Sequence, residues 1–518
     1  MLKFGTLLKY GLLGSATVGA VASWKANQYD ISSIGIVRFG RAASTVLRIA
    51  ALYKRTLYAT ELDTTGKEYK MLSSEVHQKA AEMLLELCKA NRGVYIKVGQ
   101  HIGALDYIVP PEYVETLKVL HSRAPCSELN EVMKVLKEDL KREPLDIFKS
   151  IEDEPIGTAS LAQVHKAVLR DGSPVAVKVQ HPSVLGNSVV DIRTMELLVN
   201  FISWAFPDFK FDWLVSETKR NLPLELDFAN EGKNAEKVAS MFKKLTWLKI
   251  PKIHWQLTTR RVLTMEYVEG KQVNDTIYIK DSKIDPFEVS EKLSYLYAQM
   301  IFVEGFVHSD PHPGNIFLTK TGKKLRITLL DHGLYATLSP EFCLEYAKLW
   351  LAILNVDMKG IKEQCEVLGV NDMYGLCVCM ITGRTWESIQ SGLEKKNYTK
   401  SEKEKFQEEI PKWLPQITEV LGKVNREMLL IFKSNDLLRG IEHTLGTESR
   451  RGSLFVMWRC CINRVYTDKV NRCSSRVKKL HIKLCRQWQF FKLNLYYGYL
   501  RILAVPYLSS VLRLFRSY

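Results

Sequence analysis

The 518-residue sequence has no Cys-x-x-Cys pair and no Cys/His spacing of a zinc module, although it contains ten cysteines. Cys377 and Cys379 are separated by one residue and Cys460 and Cys461 are adjacent, so a disulfide framework is not expected and reduced core thiols are. No internal repeat is visible, which excludes a solenoid. Long uncharged runs are missing too: Tyr10 to Trp24 in the N-terminal segment falls short of the roughly 20 residues of a spanning helix. Acid is scarce at both ends. Lys3, Lys9 and Lys25 precede the first acid, Asp30, and from residue 451 onward fourteen lysines and arginines face one acid, Asp468. The formal net charge of +16 is therefore concentrated in the tail, which points to an anionic surface met at one end of a near-neutral body. No recognised binding module accompanies that charge, so nucleic acid is not an expected partner.

Residues 1–30 read as a mitochondrial targeting or membrane segment. A secretory signal is the alternative, since Ala20-Val-Ala22 resembles a cleavage site; cysteine usage and the nucleotide chemistry below weigh against export. The basic helical spacing of Arg41, Arg48 and Arg55 fits a solvated face or a membrane surface equally. Residues 31–145 read as a helical extension. Two β-rich runs follow, Gln163 to Leu169 and Pro174 to Gln180, joined by an Asp-Gly turn. Helices are expected over 185–205 and 211–243, strands around Ile253 to Trp255 and Arg261 to Val268, and a helix from Pro286 to Val303. A second hairpin pairs Asn315 to Thr319 with Leu325 to Leu330. Beyond Pro340 the pattern is helical to about 450, apart from a charged insert, 387–409, expected as a loop. A small strand-containing lobe ending near 268 thus precedes a helical lobe.

Three signals carry chemistry. Lys178 lies within the apolar strand Pro174-Val-Ala-Val-Lys178, where a lone ammonium is costly to bury; it is either a snorkelling edge-strand lysine or the strand lysine with which kinases hold ATP phosphates and pair a helix glutamate. In Val307-His-Ser-Asp-Pro-His-Pro-Gly-Asn315, Asp310 and Asn315 have the spacing of a kinase catalytic Asp and metal-binding Asn. Leu329-Leu-Asp331-His-Gly333 ends an apolar strand with an acid where a kinase chelates Mg²⁺. A metallohydrolase using His308, Asp310, His312, Asp331 and His332 would explain the histidines but leaves Lys178 and Asn315 without a role.

These motifs, with Lys97-Val-Gly-Gln100, Pro155-Ile-Gly-Thr-Ala-Ser-Leu-Ala-Gln-Val-His165 and Glu225-Leu-Asp227, closely resemble the UbiB/aarF-domain atypical kinases, over about residues 93–447. The resemblance implies an α+β, bilobal atypical protein-kinase-like fold over 146–450, with ATP (or ADP) and Mg as cofactors. It assigns Lys178 to ATP anchoring, Asp310 to catalysis, Asn315 and Asp331 to the metal, and Gly157, Thr158, Ala159 and Ser160 to the phosphates. Met265, Glu266 and Val268 would lie at the adenine. Lys97, Gln100, Glu225 and Asp227 would form the family's insert, which suppresses protein phosphorylation. From the residues alone, Glu225 pairs with either Lys97 or Lys178.

Departures from the kinase pattern are informative. There is no GxGxxG, His332 replaces the Phe of DFG, and Ser339-Pro-Glu341 comes too soon after Asp331 for a normal activation loop, so a peptide platform is not expected. The tail, 451–518, combines Arg472, Arg476, Lys479, Lys483 and Arg486 with an apolar stripe of Leu480, Leu484, Trp488, Phe491 and Leu495, a pattern suited to a membrane surface or to docking on the protein's own body. The expected function is a mitochondrial, inner-membrane-associated kinase or ATPase acting on a lipid, small molecule or other acceptor, with mitochondrial membrane lipids as partners and a role in lipid or quinone homeostasis. The alternative is a nucleotide-sensing scaffold with little turnover.

Overall fold

The structure is a computed structural model describing residues 34–63, 66–103, 109–122, 126–207, 212–370, 373–391, 426–447 and 452–503. The expected targeting segment, residues 392–409 of the charged insert and the extreme C-terminus lie outside them; residues at the start of that insert belong to a short helix, Trp386–Ser391. The chain forms two compact units, one running to Val238 with Pro251–Val268 added, the other comprising Ala239–Ile250 and the chain from Glu269 onward.

The first unit combines helices with an antiparallel sheet. Helices α1 (Gly35–Thr56), α2 (Lys67–Asn91), α3 (Val94–Gly103) and α4 (Pro111–Leu117) form the extension, around a core of Ala42, Leu87, Tyr95, Ile96 and Leu117. Arg41 donates to the Ala90 carbonyl and the Asn91 side chain at the C-terminal end of α2, so this member of the basic stripe is engaged within the fold. Arg38, one helical turn earlier, is buried in an ion pair with Asp191.

Helix α5 (Leu129–Leu140) covers a sheet of β1 (Phe148–Ile151), β2 (Ala162–Leu169), β3 (Pro174–Gln180) and β4 (Val262–Glu266), paired in that order. Period-two alternation puts Val175, Val177 and Val179 of β3 on the face that buries Val132, Val135 and Leu136 of α5. The β2–β3 turn uses Gly172 at φ 89, with Asp171 accepting from the Ser173 amide. Helix α6 (Val184–Ala205) follows. The expected single helix over 211–243 is two, α7 (Asp212–Glu225) and α8 (Phe228–Met241). Asp227 breaks them by accepting from the Ala229 and Asn230 amides, a capping geometry that starts a new helix. Around Ile253 only one bridge, to Met265, replaces the expected strand, and Trp255–Leu257 is a 3₁₀ turn.

In the second unit α9 (Pro286–Gln299) continues into a π-helical turn, Met300–Glu304. Gly305 ends it at φ 63, where a Cβ would stand 3.0 Å from the Leu338 carbonyl oxygen. The chain then forms β5 (Phe306–His308), a hairpin of β6 (Ile316–Thr321) and β7 (Lys324–Leu329), and β8 (Tyr335–Thr337), which pairs with β5. Helix α10 (Pro340–Leu354), capped by the Ser339 hydroxyl, leads into α11 (Met358–Val367), α12 (Tyr374–Thr382) and α13 (Arg426–Leu445). The tail is two helices, α14 (Gly452–Arg472) and α15 (Arg476–Leu503); Phe490, Leu493 and Tyr497 of α15 pack with Phe455 of α14. Among the described residues no helix is long and apolar enough to cross a membrane. All ten cysteines are free thiols; seven are buried, whereas Cys126 is exposed and Cys473 and Cys485 are half-buried, so the expectation of core thiols fails at these three.

Candidate active site

Each unit organises its own set of the residues singled out in the sequence. In the first, Lys178 sits in β3, which is paired on both sides, with Val164 of β2 and Leu263 of β4 as its neighbours. It is therefore a central-strand lysine, and the edge-strand reading fails. Alternation carries it to the face opposite α5, where its Nζ lies 2.8 and 2.9 Å from the two carboxylate oxygens of Glu231 and 5.0 Å from the centre of the Phe228 ring. Glu231 is 2% exposed, so its charge is sustained by the ammonium. Glu225 instead pairs with Lys97 at 2.6 Å, the side chains 10% and 15% exposed. The choice left open between two lysines is thereby decided: Glu225 serves Lys97.

Glu231 escaped the sequence reading. Its signal was an acid inside the apolar stripe of a helix: the buried face of α8 runs Phe228, Glu231, Ala235, Val238, at the 3–4 spacing of a core-facing surface. The other two insert residues have local structural partners. Gln100 donates to the Leu120 carbonyl at 2.9 Å, and Asp227 caps α8 as described. Gly99, between Lys97 and Gln100, is required by packing, because a Cβ there would lie 2.5 Å from Leu120 Cδ1 and 3.0 Å from Cys88 Sγ.

The loop preceding β2 is a tight hairpin. Gly157 and Thr158 pair with Val164 and Gln163, and the Ala159 amide is committed to the Ala162 carbonyl at 2.8 Å. A Cβ on Gly157 would meet nothing within 4 Å, so glycine is not sterically required there. Ser160 is buried. Met265 is buried in β4, the Glu266 carboxylate accepts from the Lys252 amide, and Val268 is the last residue of this unit.

In the second unit, strand register does the positioning. Leu329 of β7 faces Ile316 of β6, and the Leu330 amide donates to the Asn315 carbonyl, so Asn315 and Asp331 emerge side by side at the open end of the hairpin. Asp331 accepts from the Gly333 amide at 2.8 Å. The β5–β8 ladder pairs His308 with Tyr335, and the Ser309 amide bonds to the Leu334 carbonyl, which draws the Asp310 loop against the Asp331 turn.

His308 ties the two loops together. Its Nε2 donates to the Asp331 carbonyl at 2.7 Å and its Nδ1 accepts from the Asp310 amide at 3.2 Å. A carbonyl can only accept and an amide only donate, so the ring is the neutral Nε2–H tautomer. His332 is held likewise, its Nε2 donating to the Leu329 carbonyl and its Nδ1 accepting from the Tyr335 hydroxyl; the two rings lie parallel. Both histidines are 2% exposed. His312 Nδ1 accepts from the Gly314 amide. The metallohydrolase reading fails on this geometry: both nitrogens of His308 and of His332 are engaged in local hydrogen bonds, and among the described residues no group of three His, Cys, Asp or Glu side chains could hold a metal ion. Burial, and after it the Asp310 charge, pushes the Tyr297 hydroxyl of α9 well above its ordinary range.

Asn315 and Asp331 offer an amide and a carboxylate. Such hard oxygen donors fit Mg²⁺ when phosphate oxygens and water complete the shell.

A strand lysine paired with a helix glutamate in one unit, and an Asp–Asn loop beside a strand-end Asp in the other, define an atypical kinase-like protein. Residues 119–365 match the ABC1 atypical kinase-like domain. The chain is 51% identical over 511 residues to the AarF domain-containing kinase 1 of Drosophila melanogaster, covering 98% of each chain. It is 50% identical to the AarF domain-containing protein kinase 1 of Gallus gallus, covering 90% of each. The chain belongs to this AarF/ABC1 atypical kinase family, and its fold is the family's bilobal α+β fold. Among solved structures, an Rv3197–erythromycin complex from Mycobacterium tuberculosis covers 74% of this chain and 100% of its own at 23% identity, with a TM-score of 0.44.

Proposed function

We propose that the chain is a mitochondrial, membrane-associated phosphotransferase or ATPase that binds Mg-ATP and acts on a lipid or small molecule, in support of membrane lipid or quinone homeostasis. The observation that carries the reading is the Lys178–Glu231 pair in a central strand, a buried ion pair that adds little net stability and so fits a role in holding phosphate better than one in holding the fold. In this reading Lys178 orients the phosphates, and Asn315 and Asp331 hold Mg²⁺, which supplies neutralisation of phosphate charge. Asp310 orients the acceptor hydroxyl or water. His308 holds the backbone of Asp310 and Asp331 in one register.

The acceptor class and the membrane association rest on charge and exposed apolar surface. On α15 the side chains of Leu480, Leu484, Trp488, Phe491 and Leu495 are each more than half exposed, beside Lys479 and Lys483. That combination favours an anionic lipid surface. The test uses the purified full-length chain with anionic phospholipid vesicles. Asp331→Asn is expected to weaken Mg-dependent ATP binding, whereas Asp310→Asn retains binding and loses ATP turnover by about two orders of magnitude or more. Equal turnover in wild type and both variants would overturn the enzymatic reading.

A further inference from the structure

A polar cavity of about 160 Å³ lies within the first unit, at the start of α3 and α6 and beside α5; neither Lys178 nor Glu231 lines it. Its walls are rich in unspent positive character. Helices α3 and α6 both begin there, at Val94 and Val184, and neither has an acid in its first turn. Ser183, the residue before α6, makes no side-chain capping bond. Two helix starts without a first-turn acid therefore face one small space, although the Tyr95 and Val184 amides are taken by the Arg92 and His181 carbonyls.

The acids in the wall are already engaged. Asp191 is paired with Arg38 and Glu138 with Arg261, and Glu131 accepts from the Glu128 amide in a capping box. The Arg92 and Lys134 side chains, also in the wall, have no carboxylate partner among the described residues. Ser160, only 5% exposed, directs a hydroxyl with no hydrogen-bond partner among the described residues to the same lining. Arg92 is held at φ 54 and ψ −167, a backbone region that glycine occupies far more readily.

We propose that this cavity binds a phosphate group, from inorganic phosphate or from the phosphomonoester headgroup of a lipid. Arg92 and Lys134 supply charge, the two helix starts supply amides, and Ser160 supplies a buried hydroxyl. The occupant would lie directly behind the Gly157–Ser160 loop. His181, in the wall, donates from Nε2 to the Ala159 carbonyl and accepts at Nδ1 from the Ser127 hydroxyl, so a bound phosphate is in a position to stiffen that loop. The binding itself does not depend on the nucleotide reading.

The test measures thermal stabilisation and calorimetric binding of the full-length chain with inorganic phosphate at constant ionic strength, and with phosphatidylcholine vesicles with or without phosphatidic acid. Arg92→Gly and Lys134→Gln are each expected to raise the phosphate dissociation constant about tenfold or more, while the double variant Lys178→Met, Glu231→Leu, which removes both charges of the buried pair, leaves it unchanged. Because glycine suits φ 54, Arg92→Gly should not lower the unliganded melting temperature, which separates lost binding from misfolding. A response to phosphatidic acid vesicles alone, lost in Arg92→Gly, supports the pocket with a lipid source. Loss of the response in the double variant Lys178→Met, Glu231→Leu but not in Arg92→Gly places the phosphate at the nucleotide site and overturns the proposal; so does the absence of any response, or equal affinity in all variants.

Discussion

Replacing Glu231 by alanine isolates the energetics of the pair in the sheet. At 2.8 Å the two charges attract by about 6 kcal/mol at an effective dielectric of 20, and burial of each ion opposes this with a penalty of several kcal/mol. The intact pair is therefore worth little net. Deleting one partner is different, since the ammonium of Lys178, 12% exposed, keeps its desolvation penalty and loses its compensation. A cost of about 3–5 kcal/mol is expected. Opening of β3 and α8 should become roughly 10²- to 10⁴-fold more frequent, read as faster amide exchange in peptides from 174–180 and 228–241. The double variant Lys178→Met, Glu231→Leu removes both charges and should exchange within about tenfold of wild type. Wild-type exchange in Glu231→Ala, or additive losses in the double variant, would refute the account.

Gly99→Ala forces a methyl into contact with Leu120 and Cys88; a loss of about 1–3 kcal/mol should appear as a lowered midpoint in urea, with α3 peptides exchanging faster. His308→Leu removes the acceptor for the Asp310 amide and the donor to the Asp331 carbonyl, and is expected to reduce Mg-dependent nucleotide binding while leaving the tail's affinity for vesicles unchanged in a sedimentation assay. Burial holds His77 and His181 below their ordinary value of 6.5. As pH falls the unfolded chain takes up these protons first, so their contribution to stability is complete above pH 6.5 and declines as pH drops through the folded values. Melting temperature should therefore fall between pH 7 and pH 5, with a smaller slope in His77→Gln; an identical slope in that variant would count against the assignment.

Local chemistry was legible where one residue type can meet a demand. The β2–β3 hairpin follows from its Asp-Gly turn, and the β6–β7 hairpin from the two β-rich runs Asn315 to Thr319 and Leu325 to Leu330. Spacing brought Asp310 and Asn315 to notice, and a charge within or at the end of an apolar strand brought Lys178 and Asp331, because fixed loop separations and misplaced charges are written along the chain. Helix boundaries were less legible: the break at Asp227 turns on whether an acid caps a helix or continues it, and both use the same residue.

Partnerships across the chain belonged to tertiary structure. Two lysines and several acids offered multiple pairings of similar chemistry, and only the rotation of α7 and α8 against the sheet and α3 gives Glu225 to Lys97 and Glu231 to Lys178. Register likewise set Asn315 beside Asp331, and hydrogen-bond direction fixed the protons of His308 and His332. The amino-acid sequence by itself determined which side chains are on offer for chemistry, since charge, donor type and backbone freedom are properties of single residues. Tertiary structure decided which charges compensate one another, since the cost of a buried ion depends on the partner that folding brings within about 3 Å of it.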